Sequence, residues 1–224
     1  MISASGFRFL KNLKQNNNRE WFAAHKDEFD AELVNIEKFA DALLKKLNVH
    51  DVIETPSGKK SLFRIYRDTR FSKDKTPYKA HWSGKFQRAG KHRRGGYYFH
   101  LEPGNSFAAG GFFGPNAGDL KLIRNDIAFD PSPLRAILNS KPFIDTFGEL
   151  RGEQLKTTPK GFPADHEAVG LLRYKQFLLI RHFTDEEVLS PGFLAAADEA
   201  FRNMRPFFDH MSEVLTADGN GIAL

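Results

Sequence analysis

Apolar residues recur at helical spacing from the start of the chain, at Phe7, Leu10 and Leu13. Asn17 to Glu20 then reads as a capping box, Asn17 accepting from the backbone and Glu20 reaching back. A long helix is expected from there to about Leu47, with Phe22, Phe29, Leu33, Ile36, Ala40, Leu43 and Leu47 on one face and Trp21, Phe39 and Leu44 widening it. Such a face is expected to turn to the core. Thr55-Pro56-Ser57-Gly58 breaks the pattern, and the period drops towards two. Phe63 and Ile65 oppose Leu62, Arg64 and Tyr66; Trp82, Gly84 and Phe86 oppose Ser83, Lys85 and Gln87; Tyr97, Phe99 and Leu101 oppose Tyr98, His100 and Glu102. A further apolar run covers Phe107 to Phe113. Lys91 to Gly96 is a polar hairpin loop, and Pro103-Gly104 suits a type II turn. Together these predict an antiparallel meander of four strands over Leu62 to Phe113.

Helical periods return over Asp119–Ala128, Pro133–Leu138 and Pro142–Leu150. Glu153–Thr158 is a candidate strand, Pro159 to Pro163 a loop, and His166–Arg173 a short helix. Phe177–Phe183 is strand-like, Asp185–Val188 starts a helical turn, and Phe193–Leu215 is a long helix whose Pro206 predicts a kink or a split. Strands grouped between helical blocks argue for an α+β fold, a mainly antiparallel central sheet packed against long N- and C-terminal helices. At 224 residues the whole chain, 1–224, is expected to be a single domain. Most of its 22 phenylalanines fall on predicted inward faces.

The chain has no cysteine, so disulfides, zinc–thiolate sites and cysteine nucleophiles are excluded. No secretory signal and no long apolar run is visible, so a cytoplasmic protein without a membrane partner is expected. Net charge is +5, unevenly placed: Lys59 to Arg94 holds thirteen Lys/Arg against two Asp/Glu, a local +11 against −6 for the remainder. A concentrated basic segment makes a local claim, that an anion is held near it.

The densest part is Arg64 to Tyr78, R-I-Y-R-D-T-R-F-S-K-D-K-T-P-Y. As a strand it would put Arg64, Tyr66, Asp68 and Arg70 on one face, and Arg67 with Phe63, Ile65 and Phe71 on the other. A buried Arg67 would then need a carboxylate. As a helical turn it would align Arg64, Arg67 and Arg70, with Asp68 four residues from Arg64. The β-branched and aromatic neighbours and Pro77 favour the extended form. In either form the arginine forks match phosphate or carboxylate oxygens, Lys73, Lys75 and Lys79 add point charges, Tyr78 adds a hydroxyl, and Asp68 orients an arginine. The candidate ligand-binding residues are Arg64, Arg67, Asp68, Arg70, Lys75 and Tyr78. The competing reading is an internal ion-pair network tying the meander to acidic helices.

The same segment follows the pattern R-x-x-R-D-x-R-F-x-x-x-K-x-P-Y at Arg64, Arg67, Asp68, Arg70, Phe71, Lys75, Pro77 and Tyr78. This resembles domain of unknown function 2461, a family of bacterial and some fungal proteins of about this length. Gly110 to Pro115, Ile123-Arg124-Asn125, Pro159 to Phe162 and Leu171 to Lys175 look like the family too. The resemblance implies an intracellular single-domain protein and no particular activity.

Gly110 to Asn116 could aim backbone N–H groups at an anion, but it lacks the ending of a P-loop, and tight-turn chemistry accounts for it. Arg124, Lys160, Arg173, Lys175 and Arg181 could extend an anion site or simply be solvated. The eight histidines show no H-x-x-x-H spacing, so neither a metal nor a cofactor is expected. His81, His100 and His182 lie on predicted strands, where one could act as a general base. No G-x-S-x-G elbow is present. The expected partner is a small phosphate- or carboxylate-bearing molecule. The alternatives are nucleic acid, stacked on Tyr66, Phe71, Tyr78, Trp82, Tyr97 and Tyr98 among the basic residues, and an enzyme of phosphorylated metabolites with His81 or His100 as acid/base. Oligomeric state is not readable.

Overall fold

A computed structural model describes residues 2–90 and 93–216. The fold is α+β, a four-stranded antiparallel sheet with helices at both ends of the chain. The first helix, α1 (Ala4–Gln15), is capped by Ser3, whose hydroxyl accepts from the Gly6 N–H, and it buries Phe7, Leu10 and Leu13 as their spacing predicts. The expected single helix beyond it is two, α2 (Arg19–Ala24) and α3 (Lys26–His50). His25 breaks it at φ −115°. Its ring stacks on Trp21 at 3.9 Å, and its Nδ1 bonds the Trp21 carbonyl at 2.8 Å, competing with the backbone for that acceptor. The cap is Asn18, accepting from Trp21 N–H, rather than Asn17. A short helix, α4 (Gly58–Ser61), follows.

The strands are β1 (Trp82–Gln87), β2 (Gly96–Leu101), β3 (Ser106–Phe112) and β4 (Phe177–Phe183), in that spatial order. Three of the four predicted meander strands therefore form, and the fourth place is taken by β4. The Leu62–Tyr66 stretch makes only isolated bridges, Leu62 to Gly84 and Tyr66 to Tyr78. These are four residues apart on one side and six on the other, so the register slips between them and no continuous ladder forms. Likewise Glu153–Thr158 contributes a single bridge, Gln154 to Tyr174. The β2–β3 turn is as expected: Asn105 N–H bonds the Glu102 carbonyl at 2.9 Å, and Gly104 sits at φ 76°. Of the predicted β1–β2 loop, Lys91 and His92 lie outside the described residues.

Between β3 and β4 lie α5 (Ala117–Phe129), α6 (Ser132–Leu138), α7 (Lys141–Phe147) and α8 (Val169–Leu172). After β4 come α9 (Asp185–Leu189), with a Thr184/Glu187 capping box, and α10 (Phe193–Thr216), which continues through Pro206 without splitting. Contacts divide the chain into two compact units. The first comprises residues 1–86, 98–108 and 182–199, and its core stacks Phe29 on Trp82 and Phe39 on Phe193, with Phe39 edge-on to Phe99. Of the described residues, the second comprises 87–90, 93–97, 109–181 and 200–216, where Phe201 and Phe208 of α10 pack on Tyr97. No helix among the described residues is long and apolar enough to cross a membrane.

Candidate functional site

The Arg64–Tyr78 segment folds back on itself within the first unit. Arg67 N–H bonds the Pro77 carbonyl at 2.9 Å, and Lys79 N–H bonds the Ile65 carbonyl at 2.8 Å, flanking the Tyr66–Tyr78 bridge. Alternation survives across these rungs: Ile65 is buried, Arg67 half-buried, and Arg64, Tyr66, Asp68 and Arg70 exposed. Phe63 and Phe71, expected beside Ile65, are instead exposed, Phe71 by 96%. They lie outside the two-rung ladder, so the alternation does not extend to them.

Each predicted site residue can be placed. Arg67 bonds Asp74 Oδ2 and Thr76 Oγ1 through Nη1. Asp68 takes Arg70 in a two-pronged pair, from Nε at 3.0 Å and Nη2 at 2.7 Å, on the exposed side. Lys75 Nζ donates to the Thr69 carbonyl at 2.8 Å. Arg64 has no ion-pair partner among the described residues. Tyr78 is buried and stacked on Phe22 at 4.1 Å. The carboxylates that pair with motif arginines, Asp68 and Asp74, come from the segment itself and not from acidic helices.

A cleft of about 400 Å³ opens beside this turn, lined by Lys14, Asn17, Arg67, Asp74, Thr76, Tyr78, Lys79, Ala80 and His81. It brings in Arg67 and Tyr78 of the predicted set; Arg64, Asp68, Arg70 and Lys75 are not among its walls. Lys14 and Asn17, at and just beyond the end of α1, carry no local signal of a role there. Asn17 secures the wall by exchanging two hydrogen bonds with the Tyr78 backbone. Lys79 reaches the Arg64 carbonyl at 2.8 Å and has no carboxylate partner among the described residues. Burial, and then the Arg64 charge, push its pKa down. Asp74 is held down to about 2, by the Thr76 N–H first and then by Arg67.

His81, in the cleft wall, stands beside a polar chain that runs from β2 to the residue just past its end. Tyr98 Oη lies 3.0 Å from His100 Nδ1, and His100 Nε2 lies 3.2 Å from Glu102 Oε2. Glu102 also accepts from Lys14 at 2.9 Å and Asn105 at 3.2 Å. Burial raises the Glu102 pKa, but these donors outweigh it and hold the carboxyl at about 2. His81 stands over His100 with ring centroids 4.1 Å apart. Burial, then the neighbouring His100, push His81 down to about 4 and keep it neutral. His182, the third candidate base, lies near Phe107, 5.6 Å between rings.

Two of the other basic candidates, Arg124 and Lys175, are tied to the second unit's scaffold. Arg124 bonds the Leu172 and Tyr174 carbonyls, and Lys175 pairs with Glu153. Gly110 and Gly111 belong to β3 rather than to an anion-cradling loop.

The chain matches the family described as conserved hypothetical protein (DUF2461) over residues 5–210, and it belongs to that family. No curated protein and no solved structure matches it significantly.

Proposed function

We propose that the cleft binds a small anion, a phosphate- or carboxylate-bearing molecule, between Arg67, Lys79 and Lys14, with Tyr78 offering a hydroxyl. One observation carries this reading: of the three cations in the wall, Arg67 meets Asp74 and Lys14 meets Glu102, while Lys79 has no carboxylate partner among the described residues. Lys79 is half-buried beside a second positive charge, and it meets the neutral Arg64 carbonyl and, at 5.5 Å, the face of the Phe63 ring, but no carboxylate among the described residues. An unbalanced, partly desolvated ammonium of this kind gains most from an anion. Arg64, Arg70 and Lys75 then act outside the cleft as a positive field that steers the ligand inward. The absence of cysteine suits a reducing cytoplasm. The test is a thermal-shift screen of the full chain against inorganic phosphate and a panel of phosphorylated and carboxylated metabolites. A ligand of the cleft raises the melting temperature of wild type and leaves Lys79→Met unmoved. A response equal in both, or none from any compound, removes the reading.

A second reading rests on the exposed side of the same turn. There Tyr66 and Phe71 stand 54% and 96% exposed among Arg64, Arg70, Lys73 and Lys75. Such a face suits single-stranded nucleic acid. It predicts retardation of an oligonucleotide at low salt that weakens steeply as salt rises. A chain that leaves the oligonucleotide unretarded at low salt rules it out.

A further inference from the structure

We propose that His81, His100 and Glu102 form a site for one divalent transition-metal ion, of which Zn²⁺ is the type, bordering the cleft at His81. The three residues come from two places in the fold. His81 immediately precedes β1, while His100 lies on β2 and Glu102, two residues on, is just past the strand's end. No local spacing marks them, yet their ligand atoms all lie within 4.8 Å of one another. Donors around zinc at bonds of about 2.1 Å sit roughly 3.4 Å apart, so closing on the ion takes a shift of up to about 1.4 Å together with a turn of the His81 ring out of its stack on His100. His81 can supply it, because it is half-buried and makes no hydrogen bond among the described residues.

The donor set is two imidazoles and one carboxylate. It suits a first-row ion of the zinc type over magnesium or calcium, which want oxygen throughout. Three protein ligands leave a fourth position for water or another oxygen ligand.

The surrounding shell is built as such sites require. Metal-bound histidine usually donates its other ring N–H to a fixed acceptor. Tyr98 Oη stands 3.0 Å from His100 Nδ1, and the Ser83 side chain hydrogen-bonds Tyr98 in turn. Without metal, Nε2–H donates to Glu102, and Nδ1 accepts from Tyr98. With metal on Nε2 the proton moves to Nδ1 and Tyr98 becomes the acceptor. The imidazole changes tautomer, no proton is lost, and a metal-bound water is the group displaced. Phe107 stacks on the His100 ring at 4.8 Å and 9°, which fixes its plane. Lys14 occupies Oε1 of Glu102 and Asn105 bonds Oε2, so the carboxylate is already oriented. Metal on Oε2 replaces the His100 bond there and leaves Lys14 in place. This site stands whether or not the cleft takes an anion.

The test uses the full chain, stripped with chelator and titrated with ZnCl₂ by calorimetry, with metal content read after equilibrium dialysis. Wild type is expected to take one equivalent. His81→Ala is expected to bind at least about 10-fold more weakly, with an unchanged metal-free melting temperature; His81→Gln serves if the alanine variant is unstable. Failure of wild type to take up stoichiometric zinc, or equal affinity in the folded His81 variants, overturns the proposal. Neither outcome depends on phosphate, so the site and the anion cleft fail separately.

Discussion

Asn17 and Tyr78 exchange two hydrogen bonds, side-chain amide to backbone: Asn17 Nδ2 donates to the Tyr78 carbonyl at 2.9 Å, and Tyr78 N–H donates to Oδ1 at 3.1 Å. The amide thus substitutes for a neighbouring strand on a residue whose own pairing is an isolated bridge. It ties the end of α1 to the wall that carries Arg67 and Lys79. Asn17→Ala leaves both backbone groups without that partner and is expected to cost about 1–2 kcal/mol in urea unfolding. Asn17→Asp keeps the acceptor but sets a carboxylate against the Tyr78 carbonyl, so it is expected to be at least as destabilising. A stability equal to wild type in both variants would show that the wall is held by Tyr78 packing on Phe22 alone.

Asp74 occupies the arginine fork that a ligand would use. Its carboxylate meets Arg67 and accepts from Thr76 N–H and Thr76 Oγ1, both at 2.9 Å. Because its pKa is about 2, it stays ionised across all ordinary conditions and competes there with any external anion. Asp74→Asn keeps the shape and removes the charge. Phosphate affinity is expected to rise roughly three- to ten-fold by isothermal titration, an effect that shrinks as salt is added. Lower affinity in Asp74→Asn would mean that Asp74 positions Arg67 rather than competing for it.

Local information made much of this legible. Phe7, Leu10 and Leu13 declare α1 because helical neighbours are close in sequence, and Tyr97, Phe99 and Leu101 declare β2 in the same way. The alternation at Arg64 to Arg70 correctly separated buried Ile65 from its exposed neighbours, and correctly required a carboxylate for Arg67. It could not show that the register slips between Leu62 and Tyr66, because that depends on which residues of the partner segment arrive opposite. The fourth strand, Phe177–Phe183, was readable as a strand, but its place beside β3 is a tertiary fact. The cleft was half legible for the same reason: Arg67 and Tyr78 sit in the motif, whereas Lys14 and Asn17 reach it from about fifty residues upstream. His81, His100 and Glu102 were visible singly, and only the fold brings their donor atoms together.

The Glu32 carboxylate joins α3 to the start of α1, accepting from the Ser3 and Ser5 hydroxyls and from Asn35 Nδ2 at 3.2 Å. Burial pushes its pKa up, but these hydrogen bonds outweigh it and hold the carboxyl below its ordinary 4.5. A depressed carboxyl contributes stability that is fully present above the unfolded value and is lost as pH falls through the folded one. Glu32→Ala is therefore expected to cost about 1–3 kcal/mol at neutral pH, and less as pH drops below 4.5. Urea unfolding of both proteins at pH 7 and at pH 4 measures this. A gap that stays constant or widens on acidification would contradict the assignment.

Two adjacent glycines of β3 are expected to respond differently to the same added methyl group. At Gly110 a Cβ would meet Met204 Sδ and Phe208 Cζ, each at 2.6 Å, the ends of buried side chains, with the nearest backbone atom, the Gly96 carbonyl oxygen, farther off at 3.1 Å. At Gly111 it would lie 2.1 Å from the Phe177 carbonyl oxygen, which β4 holds in place, and the backbone already sits at φ 128°, where L-residues are strained. Gly110→Ala is thus an overpacking change, expected to cost about 1–3 kcal/mol. Gly111→Ala must in addition push the β3 and β4 backbones apart or abandon its φ, and it is expected to exceed Gly110→Ala by about 1–3 kcal/mol. Chemical denaturation of the pair decides the matter. Should Gly111→Ala prove the milder change, the close approach of β3 to β4 at Phe177 would not be a rigid feature of the fold.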